Sequence, residues 1–405
     1  MKKLLRVLGR KRVAALLLTA CYLFWILLLL FVMILHFGLR GLSPSLHYKL
    51  FPLPTPSNAA ETMKVVDVRP KPGPSRIHGL GMNVYSIAGN FGQNGEPAIA
   101  LVNAYRGLEI YTVSGKKIQS IDHMFDVGTP ANIYSTMETP PNANRVLARL
   151  ESSPNDLLVL FDERDGSLQA FDISGQGAGW ETNVSYHRMS SLCYLVSGKM
   201  TNQSSHVAIY SLKSGLTSIY DASGRPTANF VAPPAGAPAF DDWDGDGDDE
   251  FIIAAAGEIA VMDESGSVLH RTKSHVNVFP VYDVAVIEPE PGKRGFLLAG
   301  SLTKQVGSLS LVRINEDGRL LEQESYPRVL EPYFFRARDG SLLLGGSLRL
   351  LRLDRAGLVV DQLGVPGDEN RVMMALEKPG EYLLGYGPKI EEHFFGTLQL
   401  EPLPE

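Results

Sequence analysis

Cysteine is nearly absent from this 405-residue sequence, which contains only Cys21 and Cys193. Two such residues, one of them inside an apolar run, exclude a disulfide framework and leave no Cys-x-x-Cys pair for zinc or redox chemistry. Charged residues are also few, at 20%, whereas 44% of the residues are hydrophobic. That fraction is enough to build a buried core, so a fully disordered chain is excluded. We expect Cys193 to be a core thiol.

Motifs of the common hydrolases and nucleotide-binding enzymes are missing as well. The sequence has no His-Glu-x-x-His, no Gly-x-Ser-x-Gly and no phosphate-binding Gly-x-x-x-x-Gly-Lys. Ser301 and Lys304 have Ser-x-x-Lys spacing but lack the companion motifs of that enzyme class. The lack of these motifs therefore favours a protein that is not an enzyme, and it leaves the question of catalysis open.

Charge is distributed unevenly along the chain. The net charge is −6, yet residues 1–12 contain no acid and the bases Lys2, Lys3, Arg6, Arg10, Lys11 and Arg12. The rest of the chain is therefore more acidic than the total suggests. Phosphate contacts need clustered Lys and Arg, so an acidic main body excludes nucleic acid as the expected partner.

A run of 23 uncharged residues, Val13–Leu35, follows the basic tail. As a helix it spans about 34 Å, which is enough to cross a hydrocarbon core of about 30 Å. Positive charge before such a run marks the cytoplasmic side. The sequence therefore predicts a cytoplasmic tail over residues 1–12, a transmembrane helix over residues 13–37 and an extracytoplasmic remainder, which makes a single-pass membrane protein.

Two other interpretations of the apolar run compete with an uncleaved anchor. A signal peptide has a shorter apolar stretch and a small-residue cleavage site, for which residues 38–41 are a poor match. Residues 18–21, Leu-Thr-Ala-Cys, resemble a bacterial lipobox, but the apolar run continues beyond Cys21 to Leu35. We favour the uncleaved anchor over both.

Residues 38–64 are rich in proline and predict a semi-rigid stalk, because proline removes backbone donors and favours extended geometry. A short alternating run, Val65–Val68, ends this segment and is typical of a strand. We place the start of an extracytoplasmic domain at residue 65 and extend it to residue 405.

Beyond residue 80 the sequence predicts an all-β domain built from repeats. Short apolar runs alternate with turns, and one element recurs: a strand, an Asp, Asn or Thr, then Gly and a second strand. The side-chain oxygen caps the turn and the glycine supplies its positive φ. The glycines of this element are Gly115, Gly175, Gly224, Gly266, Gly318 and Gly357.

The spacing of the repeats predicts a β-propeller. Intervals of 39 to 60 residues between these glycines match blades of several strands each. Residues 65–405 accommodate seven such units, so we favour seven blades, with six as the alternative. We expect Val65–Val68 to complete the last blade, because an open row of blades would leave sheet edges exposed. Apolar runs before the hairpins predict inner strands: residues 157–160, 251–254, 296–299, 342–345 and 382–385.

Seven carboxylates crowd residues 241–250, which include Asp-Trp-Asp-Gly-Asp-Gly-Asp-Asp-Glu over residues 242–250. Without a cation such a group repels itself. Oxygen ligands in a flexible loop suit Ca²⁺. We interpret the loop as one structural calcium site, with candidate metal ligands Asp242, Asp244, Asp246, Asp248 (through its carbonyl) and Glu250.

The loop opens like an EF-hand loop, but its twelfth residue is Ile253 rather than an acid. Over residues 240–269 it resembles the calcium loop of FG-GAP repeats, also called VCBS-type repeats, which occur in integrin α-chain propellers and bacterial surface proteins. A weaker copy, residues 90–98, aligns with it and has lost most of the carboxylates. The resemblance implies a calcium-binding β-propeller.

The predicted function is binding or scaffolding by a membrane-anchored, extracytoplasmic propeller, in a membrane complex and with one structural Ca²⁺. The expected partner at the propeller rim is a protein or a polysaccharide. The alternative is an exported polysaccharide lyase or hydrolase built on the same fold. Low cysteine and the propeller type favour a bacterial periplasm or cell surface.

Overall fold

The computed structural model describes two stretches of the propeller region, residues 63–67 and 84–401, with gaps in the second. The gaps are residues 93–94, 104–106, 114–115, 122–146, 152–154, 163–165, 173–178, 185–192, 201, 203, 277, 279, 302–307, 328–331, 347–348, 365–368 and 388–393. The chain divides into two compact units, residues 1–52 and residues 53–405.

In the first unit the described residues are Tyr22, Phe24, Trp25 and Leu28, all of them helical. Among the residues that the structure describes, no helix has the length and apolar character needed to cross a bilayer. The rest of the transmembrane helix predicted over residues 13–37 lies outside the described residues, as do the predicted tail and most of the predicted stalk.

The second unit contains 28 described strands, numbered here in chain order. The first eleven are β1 (Met63–Asp67), β2 (Val84–Gly89), β3 (Ala98–Asn103), β4 (Gly107–Thr112), β5 (Lys117–Ile121), β6 (Leu147–Leu150), β7 (Leu157–Asp162), β8 (Ser167–Phe171), β9 (Trp180–Asn183), β10 (Cys193–Met200) and β11 (Ser204–Ser211). The next nine are β12 (Leu216–Asp221), β13 (Pro226–Val231), β14 (Ala237–Asp241), β15 (Glu250–Ala255), β16 (Glu258–Met262), β17 (Val268–Lys273), β18 (Val281–Glu290), β19 (Lys293–Gly300) and β20 (Ser308–Asn315). The last eight are β21 (Leu320–Pro327), β22 (Tyr333–Arg336), β23 (Leu342–Gly345), β24 (Arg349–Leu353), β25 (Val359–Gly364), β26 (Glu369–Ala375), β27 (Glu381–Gly387) and β28 (Phe394–Leu400).

The strands form seven antiparallel sheets of four strands each, which confirms the seven-bladed β-propeller over the six-bladed alternative. Blades one to six take consecutive strands, from β2–β5 through β22–β25. The first strand of each blade contacts the first strands of its neighbours, and β26 contacts β2, so the row closes into a ring.

Blade seven is assembled from both ends of the domain. Its strand order is β26-β27-β28-β1, so the fourth strand comes from the N-terminal side. Met63 lies opposite Leu400 and Val65 opposite Leu398. The expected closure by the strand near residue 65 is thus confirmed, and it explains why the last blade has no third-to-fourth-strand hairpin of its own.

The apolar runs predicted as inner strands are the second strand of each blade instead. β15, for example, is buried at every position, whereas β14, the innermost strand of the same blade, is only partly buried. The physical reason is that the second strand is covered by neighbouring blades on both faces, while the first strand faces the central channel. Continuous hydrophobicity therefore marks the middle of a blade, not its inner edge.

The recurrent turn is a hairpin, as its sequence predicts, and where it is described it joins the third and fourth strands of a blade. In blade three the Asp221 carboxylate accepts hydrogen bonds from the N–H groups of Ser223 (2.9 Å) and Arg225 (3.0 Å). Gly224 has φ 79°, and the glycines at positions 266, 318 and 357 have φ between 78° and 80°. Gly115 and Gly175 lie outside the described residues.

The core lies between blades, in seven hydrophobic clusters that each join two neighbours. Cys193, 2% exposed and not in a disulfide, packs in the cluster of blades two and three, which confirms it as a core thiol. Met374 and Leu383 of blade seven pack against Ala88 and Ile99 of blade one, so the ring closes through buried apolar contact.

Because β1 completes blade seven, its loss should weaken the closure. We expect a fragment of residues 69–405 to be less stable than one of residues 60–405 by about 3 kcal/mol or more, the range that follows loss of core packing. Thermal unfolding of the two fragments measures the difference. Equal midpoints would show that β1 does not contribute to ring closure.

Candidate metal centre

The acidic loop connects β14 to β15 in blade four. Asp241 and Glu250 are the last paired residues of these strands, so the ladder brings both ends of the loop together. Gly245 has φ 84° and Gly247 has φ 95°, which lets the chain turn twice within a few residues. The loop is therefore compact, as its glycine spacing predicts.

Hydrogen bonds within the loop orient the first carboxylate inward. One oxygen of Asp242 accepts the N–H of Gly245 at 2.6 Å and the other accepts the N–H of Gly247 at 3.1 Å. Glu250 reaches back across the loop and accepts the N–H of Trp243 at 2.7 Å. These bonds replace water around two buried or half-buried carboxylates.

Three of the predicted ligands converge. One carboxylate oxygen from each of Asp242, Asp244 and Glu250 lies within 4.8 Å of the others. Asp242 is half-buried, Asp244 is exposed and Glu250 is buried. One cation has room to contact all three oxygens at once.

The other two candidates take part in the loop differently. Asp246 accepts the N–H of Asp248 at 2.8 Å. The carboxylate of Asp248 accepts the N–H of Asn202 at 2.9 Å and is thus turned toward blade three. Neither carboxylate belongs to the converging group among the described residues.

The electrostatics of the loop are unfavourable without a cation. Burial raises the pKa of Glu250 to about 7. The nearby carboxylates of Asp244, Asp242 and Asp246 add to that rise. Burial also raises the pKa of Asp249 to about 6. A divalent ion between the oxygens would offset this repulsion, and an all-oxygen donor set suits calcium.

The loop is bound to blade three through its backbone. Asp249 donates its N–H to the carbonyl of Lys199 at 2.5 Å, and its carboxylate accepts the Lys199 N–H at 2.7 Å. Asp156 of blade two makes the same reciprocal pair with Asn90 of blade one, at 3.2 and 2.7 Å. An aspartate before the second strand is thus a recurring connection between blades.

The loop is bound to blade five through aromatic packing. Trp243 stacks on Phe296, with ring centroids 4.6 Å apart and an interplanar angle of 6°. His270 of β17 stacks on the same indole at 4.8 Å. The guanidinium of Arg294 lies over Gly245, where it occupies the space that a Cβ would need. Any side chain at position 245 would therefore displace Arg294 as well as strain the backbone.

An ion pair with a largely buried carboxylate and a partly exposed arginine extends the contacts to blade six. Arg336 of β22 donates to both carboxylate oxygens of Asp241, at 2.8 and 2.6 Å, and to the carbonyl of Val286 at 2.7 Å. Asp241 also accepts the N–H of Val286 at 2.7 Å. Sequence reasoning missed Arg336, because 95 residues separate it from Asp241 and no local pattern marks it.

The weaker copy in blade one keeps the turn. Gly92 donates to the carbonyl of Glu96 at 2.8 Å, Gly95 has φ 77°, and Phe91 is buried where the acidic loop has Trp243. Its central residues, 93 and 94, lie outside the described part of the chain.

Comparisons with known proteins identify the fold but do not identify a family. No protein-family model matches the chain, and no curated protein matches it. The WD40 domain of Pan2 from Neurospora crassa is similar with a TM-score of 0.52 and 8% identity, over 86% of this chain and 99% of that chain. This likeness shows the propeller fold alone.

Two further solved structures are similar at lower scores. A streptogramin B lyase has a TM-score of 0.48 and 12% identity, over 79% of this chain and 98% of its own. BBS1N, in a complex with ARL6DN, has a TM-score of 0.39 and 15% identity, over 64% of this chain and 82% of its own. Neither likeness bears on the site.

We expect Arg336→Met to destabilise the fold by about 2–4 kcal/mol, because it leaves the Asp241 carboxylate, 11% exposed, without its cation. Asp241→Asn should cost less, since the Arg336 side chain is 37% exposed and water can solvate it. The double variant should cost less than the sum. Urea unfolding measures all three.

The matched control is Arg225→Met, which removes an arginine 81% exposed from its pair with Asp221. We expect a change within about 0.5 kcal/mol. A similar cost for both arginines, or full additivity of the Asp241 and Arg336 substitutions, would contradict the assignment of a stabilising ion pair between Asp241 and Arg336.

Proposed function

We propose that this protein is a membrane-anchored binding or scaffold module, an extracytoplasmic seven-bladed propeller that holds one structural Ca²⁺ and presents its rim to a partner. The observation that carries the calcium part is the convergence of Asp242, Asp244 and Glu250 within 4.8 Å on a closed ring. A rigid ring with loops from every blade is a surface well suited to recognition without covalent chemistry.

The anchor rests on the sequence. Val13–Leu35 is long enough to span a bilayer as a helix, and the bases of residues 1–12 orient it with the tail in the cytoplasm. The propeller then stands outside, at a bacterial cell surface or in a periplasm.

We propose that calcium in this site stabilises the fold and takes no part in catalysis. Asp242, Asp244 and Glu250 supply carboxylate oxygens, and Asp246 and the Asp248 carbonyl complete the shell after a small rearrangement of the loop. The loop contacts blades three and five, and the adjoining Asp241 pairs with Arg336 of blade six, so an ion that stabilises the loop stabilises both seams of blade four. The resemblance to FG-GAP repeats supports the same assignment.

The calcium site predicts a metal-dependent melting temperature. Calcium at about 100 times its Kd should add about 2.7 kcal/mol to the unfolding free energy, because it binds the folded state alone. Asp244→Asn should abolish this gain, and Asp317→Asn, an exposed acid in a hairpin of blade five, should not. Calorimetric melts with calcium and with chelator test both.

Terbium gives a direct readout of the same site. Excitation of Trp243, which lies between Asp242 and Asp244, should sensitise Tb³⁺ emission, and calcium should compete it away. Trp243→Phe should lose the emission while keeping calcium binding by calorimetry. A melt indifferent to chelator together with an absence of sensitised emission would refute the calcium site.

A substrate screen on residues 60–405 separates binding from catalysis. We expect no turnover of acidic or neutral polysaccharides, because the chain carries no recognised catalytic motif. Saturable binding of a defined protein or oligosaccharide, measured by calorimetry, supports the scaffold. Robust turnover that a single rim substitution abolishes would establish the lyase or hydrolase alternative instead.

A further inference from the structure

Exposed apolar side chains are concentrated on one part of the ring. Seven large hydrophobic side chains of the described propeller residues are at least 38% exposed, and five of them belong to blades four to six. These five form the outer-edge patch: Val268 (51%), Leu269 (51%), Leu320 (47%), Leu321 (46%) and Leu358 (39%). Single exposed residues are ordinary on a protein surface, but a group on consecutive blades is not.

The hairpins that carry the patch residues are hydrogen-bonded from one blade to the next. His270, next to Leu269, bonds the carbonyl of Glu316 in the hairpin that precedes Leu320, at 3.0 Å. Arg313 of β20 donates to the carbonyl of Ala356 in the hairpin that precedes Leu358, at 2.9 Å. Each outer strand therefore begins beside the blade before it.

The patch borders the place where the chain joins the ring. β1 is the outermost strand of blade seven and contacts β25, the outermost strand of blade six. Met63 lies opposite Leu400 just as Val268 lies opposite Met262. The first residue of β1 thus occupies the position in its blade that Val268 occupies in blade four.

The chain on the N-terminal side of β1 indicates that the surface covering the patch is a bilayer. Residues 36–62 link β1 to the apolar run Val13–Leu35 and reach about 90 Å when fully extended. A tether of this length holds the propeller at an effective concentration in the millimolar range near the membrane. At that effective concentration the docked state is populated even when the apolar contact is weak.

Local charge indicates the kind of bilayer surface. β17 carries the bases Arg271 and Lys273, whereas the next hairpin carries Glu316 and Asp317 beside Arg319. Mixed signs give no net attraction to anionic lipid, so contact depends on apolar burial in the interface. We propose that the outer-edge patch docks the propeller, edge-on, against the surface of the bilayer that holds its own anchor. This inference rests on the membrane anchor proposed above.

The test uses the full chain with Cys21→Ser, reconstituted into phosphatidylcholine vesicles. An environment-sensitive fluorophore is attached at Leu321→Cys in the patch or, as the matched control, at Val231→Cys in blade three, where the native side chain is 70% exposed. With nitroxide-labelled lipid we expect the probe at position 321 to shift to shorter wavelength and lose most of its emission. The probe at position 231 should change little.

A second variant guards against a local effect of the label. Leu269→Ser with Leu320→Ser, in the Leu321→Cys background, should reduce the quenching several-fold while the protein still floats with the vesicles. High salt should leave the quenching unchanged, because the contact is apolar.

Each other outcome overturns the docking. If the protein floats but a water-soluble quencher acts equally on the probes at positions 321 and 231, the anchor is present and the docked state is not. A probe at position 321 that is shielded from water yet insensitive to nitroxide lipid is covered by another protein or a second copy. Protein that does not float with vesicles lacks the anchor, and the docking fails with it.

Discussion

The contact between one blade and the next is the interaction on which the rest of this structure depends. A single four-stranded sheet exposes two apolar faces, and both are buried only when a neighbour covers each of them. Seven buried clusters, one for each seam, meet this requirement around the ring. The same requirement explains why the second strand of a blade is the most apolar and why the N-terminal strand β1 completes blade seven.

The acidic loop adds polar contacts to the apolar seams on both sides of blade four. Its backbone pairs with blade three, its tryptophan stacks on blade five, and the adjoining Asp241 pairs with an arginine of blade six. Burying so many carboxylates is costly unless each has a partner. Most have one in the protein, and the converging group of Asp242, Asp244 and Glu250 is where we propose that a calcium ion binds. The site and these seams therefore stabilise each other.

Part of the candidate site was readable from the sequence and part was not. The loop, its glycines and the pairing of its ends follow from local spacing, since residues 242–250 lie between two strands that must pair. Asp246 stays outside the group of Asp242, Asp244 and Glu250, although the spacing predicted it as a ligand. The bond between the Asp248 carboxylate and Asn202, a residue of another blade, was not readable either. Arg336 was missed for the same reason: its partner Asp241 is 95 residues away. Long-range contacts of this kind leave no periodic signal in the chain.

By itself the sequence determined the all-β class and the repeat, favoured seven blades over six and indicated the strand that closes the ring, because turn chemistry and strand periodicity are local properties repeated along the chain. The basic tail and the apolar run that predict the membrane anchor are equally local. Only the tertiary structure decided which apolar runs lie in the middle of a blade, which carboxylates meet, and which apolar side chains remain on the outer edge of blades four to six. Those outcomes depend on which surfaces neighbouring blades cover, and coverage is settled only when the ring has closed.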